Sequence, residues 1–328
     1  MEQSDINNIL KPIKFEPHYK TVMWGGEKIS QFKGIPLDCK TIGESWEISG
    51  VKGSESIVSN GVDKGLTVTQ MVEKYRSLLV GGLSYEKFGT TFPILVKIID
   101  AKKDLSFQVH PSDELAKERH NCMGKTEMWY IVDTDKNAKR YAGLSQKTTP
   151  QEYEQRIEDG SIMDIVNCYK TSPGDLYFLP SGCTHSIGAG NLLVEIQQTS
   201  DITYRVYDYK RQDTNGKYRE LHTDLARAAI DYSKFCSKMD YCNIDKGRTK
   251  LINCKHFTTS LIKTDDEINL KNEHDSFLII ICVSGEAVVE GEKGSETIRQ
   301  GETVLIPAAL KEITIKGKAT LLTASAGK

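Results

Sequence analysis

Four side chains in this sequence of 328 residues have the chemistry to hold one metal ion per chain: Gln108, His110, Glu127 and His185. Two imidazoles, a carboxylate and an amide oxygen make a nitrogen-and-oxygen set suited to a divalent transition metal, zinc foremost. The first pair lies in LSFQVHP, residues 105–111. Alternation there sends Leu105, Phe107 and Val109 to one face of a strand, and Ser106, Gln108 and His110 to the other. A half-buried surface strand usually shows water its lysines, glutamates or threonines, so a row of Ser, Gln and His asks for another partner. In KTEMWYIV, residues 125–132, Glu127 shares a face with Lys125 and Trp129, opposite Met128, Tyr130 and Val132. In NLLVEIQQ, residues 191–198, Glu195 shares one with Leu193 and Gln197. His185 stands in the turn SGCTHSIG after GDLYFLP. A barrel would bring all four candidate ligands to one interior.

Taken singly, each is ordinary. A lone His or Gln is more often packed core or surface than ligand, and a Glu between Thr and Met usually faces solvent. Co-occurrence on inward faces is what selects them. His18, His120, His222, His256 and His274 have no such context and are assigned to surface or packing. Cys183, two residues before His185, reads as a small buried residue rather than a ligand. Trp24 and Trp46 could line a ligand cavity or fill core; both readings stay open.

The elements that must position these residues are short. Apolar runs at 94–99, 128–132, 175–179, 192–196 and 303–307, separated by Gly, Asp and Ser, predict a mainly β sandwich or barrel. Helical excursions are few. Val68, Met71, Val72, Tyr75, Leu78 and Leu79 recur at helical intervals over Leu66–Val80. Thr149-Pro150-Gln151-Glu152 is a capping-box start with proline in the first turn, and Asp224–Tyr232 is a third candidate. One echo stands out: GDLYFLP at 174–180 returns as GETVLIP at 301–307, which suggests two copies of one β domain. Five residues on, the first copy has His185 and the second Glu312.

Composition narrows the partners. A net charge of −2 without any Lys/Arg block argues against nucleic acid. The start MEQSDINNIL lacks a secretory signal, and the longest apolar run, FLIIICV at 277–283, is too short for a bilayer and reads as a buried strand. No membrane partner is expected. Eight cysteines without a C-x-x-C pair suggest a reducing compartment, the cytoplasm, rather than a disulfide framework. Nothing in the sequence signals an oligomeric state.

The same residues carry a family resemblance. GDLYFLPSGCTH fits the second cupin motif, Gly-x5-Pro-x-Gly-x2-His, at Gly174, Pro180, Gly182 and His185, with the trailing asparagine displaced to Asn191. FPILVKIIDAKKDLSFQVHPSDELA and GKTEMWYIV, flanked by KPIKFEPHYKTVMWGG, IGESWEISG and VEIQQTSDITYRVYDY, resemble the type I mannose-6-phosphate isomerases of the short bacterial kind. The matches keep the expected order through the first two-thirds of the chain. The resemblance implies a double-lobed cupin, a jelly-roll β-barrel. Its catalytic lobe would be 1–235, with helical segments near 66–80 and 150–170, and its second lobe, 236–328, degenerate and metal-free. It implies zinc on Gln108, His110, Glu127 and His185, catalytic pocket roles for Lys125, Glu195 and Arg205, and a phosphate contact for Ser106. The implied reaction interconverts mannose 6-phosphate and fructose 6-phosphate through an enediol(ate), with the proton shuttle open between Lys125 and Glu195. The rivals are another metal-dependent cupin, a phosphoglucose isomerase or an Fe(II) dioxygenase on His110, Glu127 and His185, and a non-catalytic sugar-phosphate-binding cupin. Gln108 weighs against the dioxygenase, since it fills a position that oxygen chemistry leaves open.

Overall fold

Left-handed glycines open both arms of the sequence echo: Gly174 has φ +88° and Gly301 φ +83°. Each releases the chain into a strand, Leu176–Leu179 and Thr303–Ile306, that ends before a proline. The structure, a computed structural model, describes residues 7–36, 41–212, 215–233, 236, 238–272 and 275–327. It is mainly β, with few helices.

Two antiparallel sheets build the first barrel. One runs Lys238–Met239, Leu176–Leu179, Glu127–Thr134, Asn191–Gln198, Ile94–Ala101, Glu44–Ile48, His18–Lys20. The other runs Tyr204–Tyr207, Phe107–Val109, His185–Ile187, Lys139–Leu144, Val166–Lys170. They enclose a shared interior in which Ile99, Trp129, Ile131 and Leu193 from the first meet Ala142 and Ile187 from the second. Period-two alternation then decides what faces outward. Met128, Tyr130, Val194 and Ile196 leave the barrel on its other side and pack with Phe257, Leu261, Phe277, Ile279 and Leu322 of the C-terminal lobe. Phe107 and Val109 turn to an outer layer with Tyr153, Ile162 and Ala226. Leu105 departs from the expected face. It precedes the strand, which begins at Phe107, and packs in the barrel interior.

The C-terminal lobe is a nine-stranded sheet whose central order is Gly247–Asn253, Phe257–Thr264, Glu312–Ala326, Leu278–Gly291, Thr303–Ile306, Ile13–Glu16, Ile57–Val58. Two of its strands come from the start of the chain: Ile13 pairs with Leu305, and Phe15 with Val58. The apolar run at 277–283 becomes its long buried strand, as expected.

Helices are shorter than the periodicity predicts. The expected helix over 66–80 divides at Arg76, whose φ of +51° ends Val68–Tyr75 before Ser77–Val80 begins. Its capping box, Thr67 with Gln70, is complete. At Pro150–Glu158 only half of the expected box forms: Thr149 accepts from the Glu152 amide, while the Glu152 carboxylate turns to Gln146 and Arg156. A 3-10 turn at Ile162–Ile165 and the strand Val166–Lys170 follow, so helix does not extend to 170. The third helix is Thr223–Ala229. No helix among the described residues is long and apolar enough to cross a membrane.

Candidate active site

Three of the candidate ligands sit at strand ends. His110 follows Phe107–Val109, Glu127 opens Glu127–Thr134, and His185 opens His185–Ile187. One donor atom from each lies within 4.8 Å of the others, and all three side chains are buried. Glu127 sits between the rings, with Oε2 3.4 Å from His110 Nε2 and Oε1 3.1 Å from His185 Nε2. Each ring is fixed from behind. His110 Nδ1 donates to the Ile202 carbonyl and His185 Nδ1 to the Cys183 carbonyl, both at 2.9 Å. A carbonyl can only accept, so each ring carries a proton on Nδ1 and turns its Nε2 towards the cluster.

That arrangement fits a divalent cation. Glu127 Oε1 and His185 Nε2 face each other, buried and without a hydrogen bond, while Glu127 Oε2 lies 2.9 Å from the Lys125 ammonium. Orphaned acceptors of this kind are costly unless a cation satisfies them. Burial, then the Lys125 charge, lowers the His110 pKa to about 3, keeping the ring neutral. Burial raises the Glu127 pKa, but Lys125, His185 and His110 outweigh it and hold the carboxyl well below its usual range.

Gln108 pairs in register with His185 on one side and Arg205 on the other, so the three form one row across the sheet. Its Oε1 accepts from Ser106 Oγ at 3.2 Å. Beside this row opens a cavity of about 350 Å³, bordered by Ser106, Gln108, Lys125, Glu195 and Arg205, with Trp24, Glu44, Lys97 and Arg219. The smaller cavity reaches the cluster through Lys125, which touches both Glu127 and His110, whereas a larger cleft of about 610 Å³, lined by Lys28, Phe32, Tyr130 and Gln300, includes neither Lys125 nor Gln108.

The cavity floor is a chain of alternating charge. Lys125 Nζ stands 4.0 Å from Glu195 Oε1, Lys97 Nζ 3.5 Å from the same oxygen, and Lys97 3.8 Å from Glu44 Oε2. Trp129 Nε1 donates to Glu195 Oε2 at 2.9 Å. Burial, followed by repulsion from Glu127, raises the Glu195 pKa despite both lysines. Burial opposes the charge on Lys97, yet Glu44 and Glu195 keep its pKa above the usual lysine range. Trp24 borders the cavity, whereas Trp46 is fully buried beneath it, with the Lys20 ammonium 3.3 Å and that of Lys97 4.8 Å from its ring centre.

Sequence reading missed Lys97, Glu44 and Arg219. Lys97 had a signal, a lysine inside an otherwise apolar run, and the fold pairs it directly across from Glu195 on the same sheet face. Among the remaining histidines, His120 bonds Tyr204, His222 accepts from the Arg205 amide, His18 meets the Trp46 edge and His256 lies 3.9 Å from Asp113. His274 lies outside the described residues. The cysteine reading needs correction. The structure joins Cys183 to Cys236, 53 residues on, with Cα atoms 6.4 Å apart. Spacing alone cannot reveal such a pairing, because the fold brings the two together inside the barrel.

Comparison with known proteins covers most of the chain. Residues 13–158 match the family model "Phosphomannose isomerase type I, catalytic domain", and residues 247–325 match "Mannose-6-phosphate isomerase, cupin domain". Mannose-6-phosphate isomerase ManA of Bacillus subtilis is 36% identical over 94% of this chain and 97% of its own length. The crystal structure of the mannose 6-phosphate isomerase from Bacillus subtilis superposes with a TM-score of 0.87 at 32% identity, covering 95% of this chain and 99% of that one. A mannose 6-phosphate isomerase bound with zinc and yttrium shares the fold at a TM-score of 0.77 and 15% identity, covering 97% of this chain and 100% of that one.

Proposed function

The chain belongs to the type I phosphomannose isomerases, and from that premise we propose that it interconverts mannose 6-phosphate and fructose 6-phosphate with one divalent cation, zinc foremost. The observation that carries this reading is the buried trio His110, Glu127 and His185, with orphaned donor atoms, beside a cationic cavity. Gln108, next to His185 in register, is the proposed fourth ligand. The relative crystallised with zinc supports the choice of metal. When bound, the cation would supply Lewis acidity that eases proton loss from the carbon next to the sugar carbonyl.

The chain's own residues do the rest. Aldose becomes ketose when a proton leaves C2 and one arrives at C1, while a hydroxyl proton passes from O2 to O1. Glu195 is the proposed carbon-proton shuttle, since its raised pKa brings a carboxylate nearer to the basicity that the task needs. Lys125, held at Glu127 and His110, offsets the negative charge of the enediolate, and Arg205 adds a second fixed positive charge to the same row. Ser106 is the proposed polar contact for substrate. The C-terminal lobe is proposed to be metal-free: Glu312, at the echo position of His185, is exposed and lies 3.5 Å from Lys271. Its sheet departs from the expected bounds 236–328, since Lys238–Met239 joins the first barrel and Ile13–Glu16 and Ile57–Val58 join the C-terminal sheet. A cytoplasmic location is proposed because a doubly charged sugar phosphate does not cross bilayers unaided.

A coupled assay of mannose 6-phosphate conversion in deuterated water, with and without chelator, tests the reading. Ketose formation that needs metal, with deuterium entering at C1, supports it. Metal-loaded protein that converts nothing overturns it.

A further inference from the structure

Arg219 borders the cavity but has no part in the chemistry above. Its backbone belongs to a segment laid along the outer edge of Tyr204–Tyr207: the Arg205 amide donates to His222 Nδ1, and the His222 amide donates to the Arg205 carbonyl at 2.7 Å. Moving across the sheet from the metal cluster, the order is therefore His185, Gln108, Arg205, then the 219–222 segment. With neighbouring strands about 4.8 Å apart, that row runs away from the ligands at roughly the scale of an open-chain hexose phosphate. Arg205 stands nearer the reacting end and spends one guanidinium N–H on the Glu220 carbonyl at 2.6 Å.

Arg219 is held in place by design of the loop before it. Buried Asp208 accepts from Arg219 NH1 at 3.3 Å, and the same oxygen accepts from Arg211. Arg211 also donates to the carbonyls of Asp208 and Asp104, tying the loop to the chain that leads into Ser106. Tyr209 and Lys210, next in sequence, both take left-handed backbone, φ +54° and +51°. Two successive non-glycine residues in that region persist only where the surroundings over-determine them. The Asp208 cluster does so here.

We propose that Arg219 binds the phosphoryl group of the substrate, with Asp208 as its positioning residue, and so selects phosphorylated over free sugar. A guanidinium fork matches a phosphate dianion in geometry and charge. This rests on the isomerase reading. Kinetics and inorganic phosphate binding, followed by calorimetry, test it on the metal-loaded full chain. Arg219→Ala should raise KM for mannose 6-phosphate roughly 10- to 100-fold, leave kcat within about threefold, and weaken phosphate binding in parallel. Arg219→Lys should fall between, and Asp208→Asn should shift KM the same way at an unchanged metal content. Unchanged KM and phosphate affinity in Arg219→Ala, or a kcat loss at constant KM, overturns the assignment. Should Arg219→Ala not fold, Arg219→Lys decides by the same two readouts. If wild-type protein proves inactive, the isomerase reading fails, while phosphate binding that depends on Arg219 still stands or falls separately.

Discussion

Lys125 and Glu127, two residues apart, meet at 2.9 Å between Nζ and Oε2, and the same ammonium lies 3.1 Å from His110 Nε2. A fixed positive charge therefore shares the lone pairs that a divalent cation would use. In the proposed reading Lys125 acts on substrate charge, and its own charge opposes metal binding rather than aiding it.

Replacing Lys125 by methionine separates those effects. Turnover should fall about 10²- to 10⁴-fold, within the usual range for a lost proton-transfer or charge-stabilising group. Zinc content, read by elemental analysis, should equal or exceed that of wild type. Loss of metal in step with activity would place Lys125 among the groups that build the site instead.

His110→Ala and Glu127→Ala should each abolish isomerisation and lower bound zinc. The chelator-stripped wild type offers a second readout. The folded His110 pKa is lowered to about 3, so below the ordinary imidazole value of about 6.5 the unfolded chain binds a proton that the native state refuses. Stability of the stripped protein should therefore fall as pH drops from about 6.5 towards 3, and His110→Gln should flatten that slope. Equal slopes in the two proteins would remove His110 as the cause.

The Trp129 indole donates to Glu195 in its charged form, which lowers a pKa already raised by burial and by Glu127. Trp129→Phe deletes that donor, so the pKa should climb further. The acidic limb of kcat/KM should move to higher pH, and Glu195→Gln should remove both the limb and most of the activity. An unmoved limb in Trp129→Phe would take the shuttle away from Glu195.

Phe92 and Phe277, both fully buried, stack across the two lobes with ring centres 4.6 Å apart. Phe277→Ala should cost about 3–5 kcal/mol in urea unfolding, the usual loss for a core aromatic. The folded fraction should keep wild-type zinc affinity, because the pair lies outside the cavity. A cost below about 1 kcal/mol would mean that the lobes do not depend on this contact.

Much of the site was legible because strands impose a period of two. The alternation in LSFQVHP and KTEMWYIV is enough to put Gln108 and Glu127 on inward faces, and Trp129 on the same wall as Glu127. What alternation could not supply was the rest of the charge chain. Lys97 lies in a strand buried on both faces, where periodicity carries no inside or outside. Arg219 lies in irregular chain whose position depends on contacts with Asp208 and with the edge strand Tyr204–Tyr207, which no periodicity encodes. The Arg76 break and the Cys183–Cys236 pairing are likewise tertiary facts, set by packing and not by neighbours in sequence.

Strand Ile13–Glu16 pairs along one edge with nearby Ile57–Val58, but its other edge is covered by Thr303–Ile306, nearly the whole chain away. A ribosome must therefore release some three hundred residues before that edge is covered. Until then the nascent molecule carries an open, pairing-competent ribbon near its start, and any truncation that removes the last strands leaves it exposed for good.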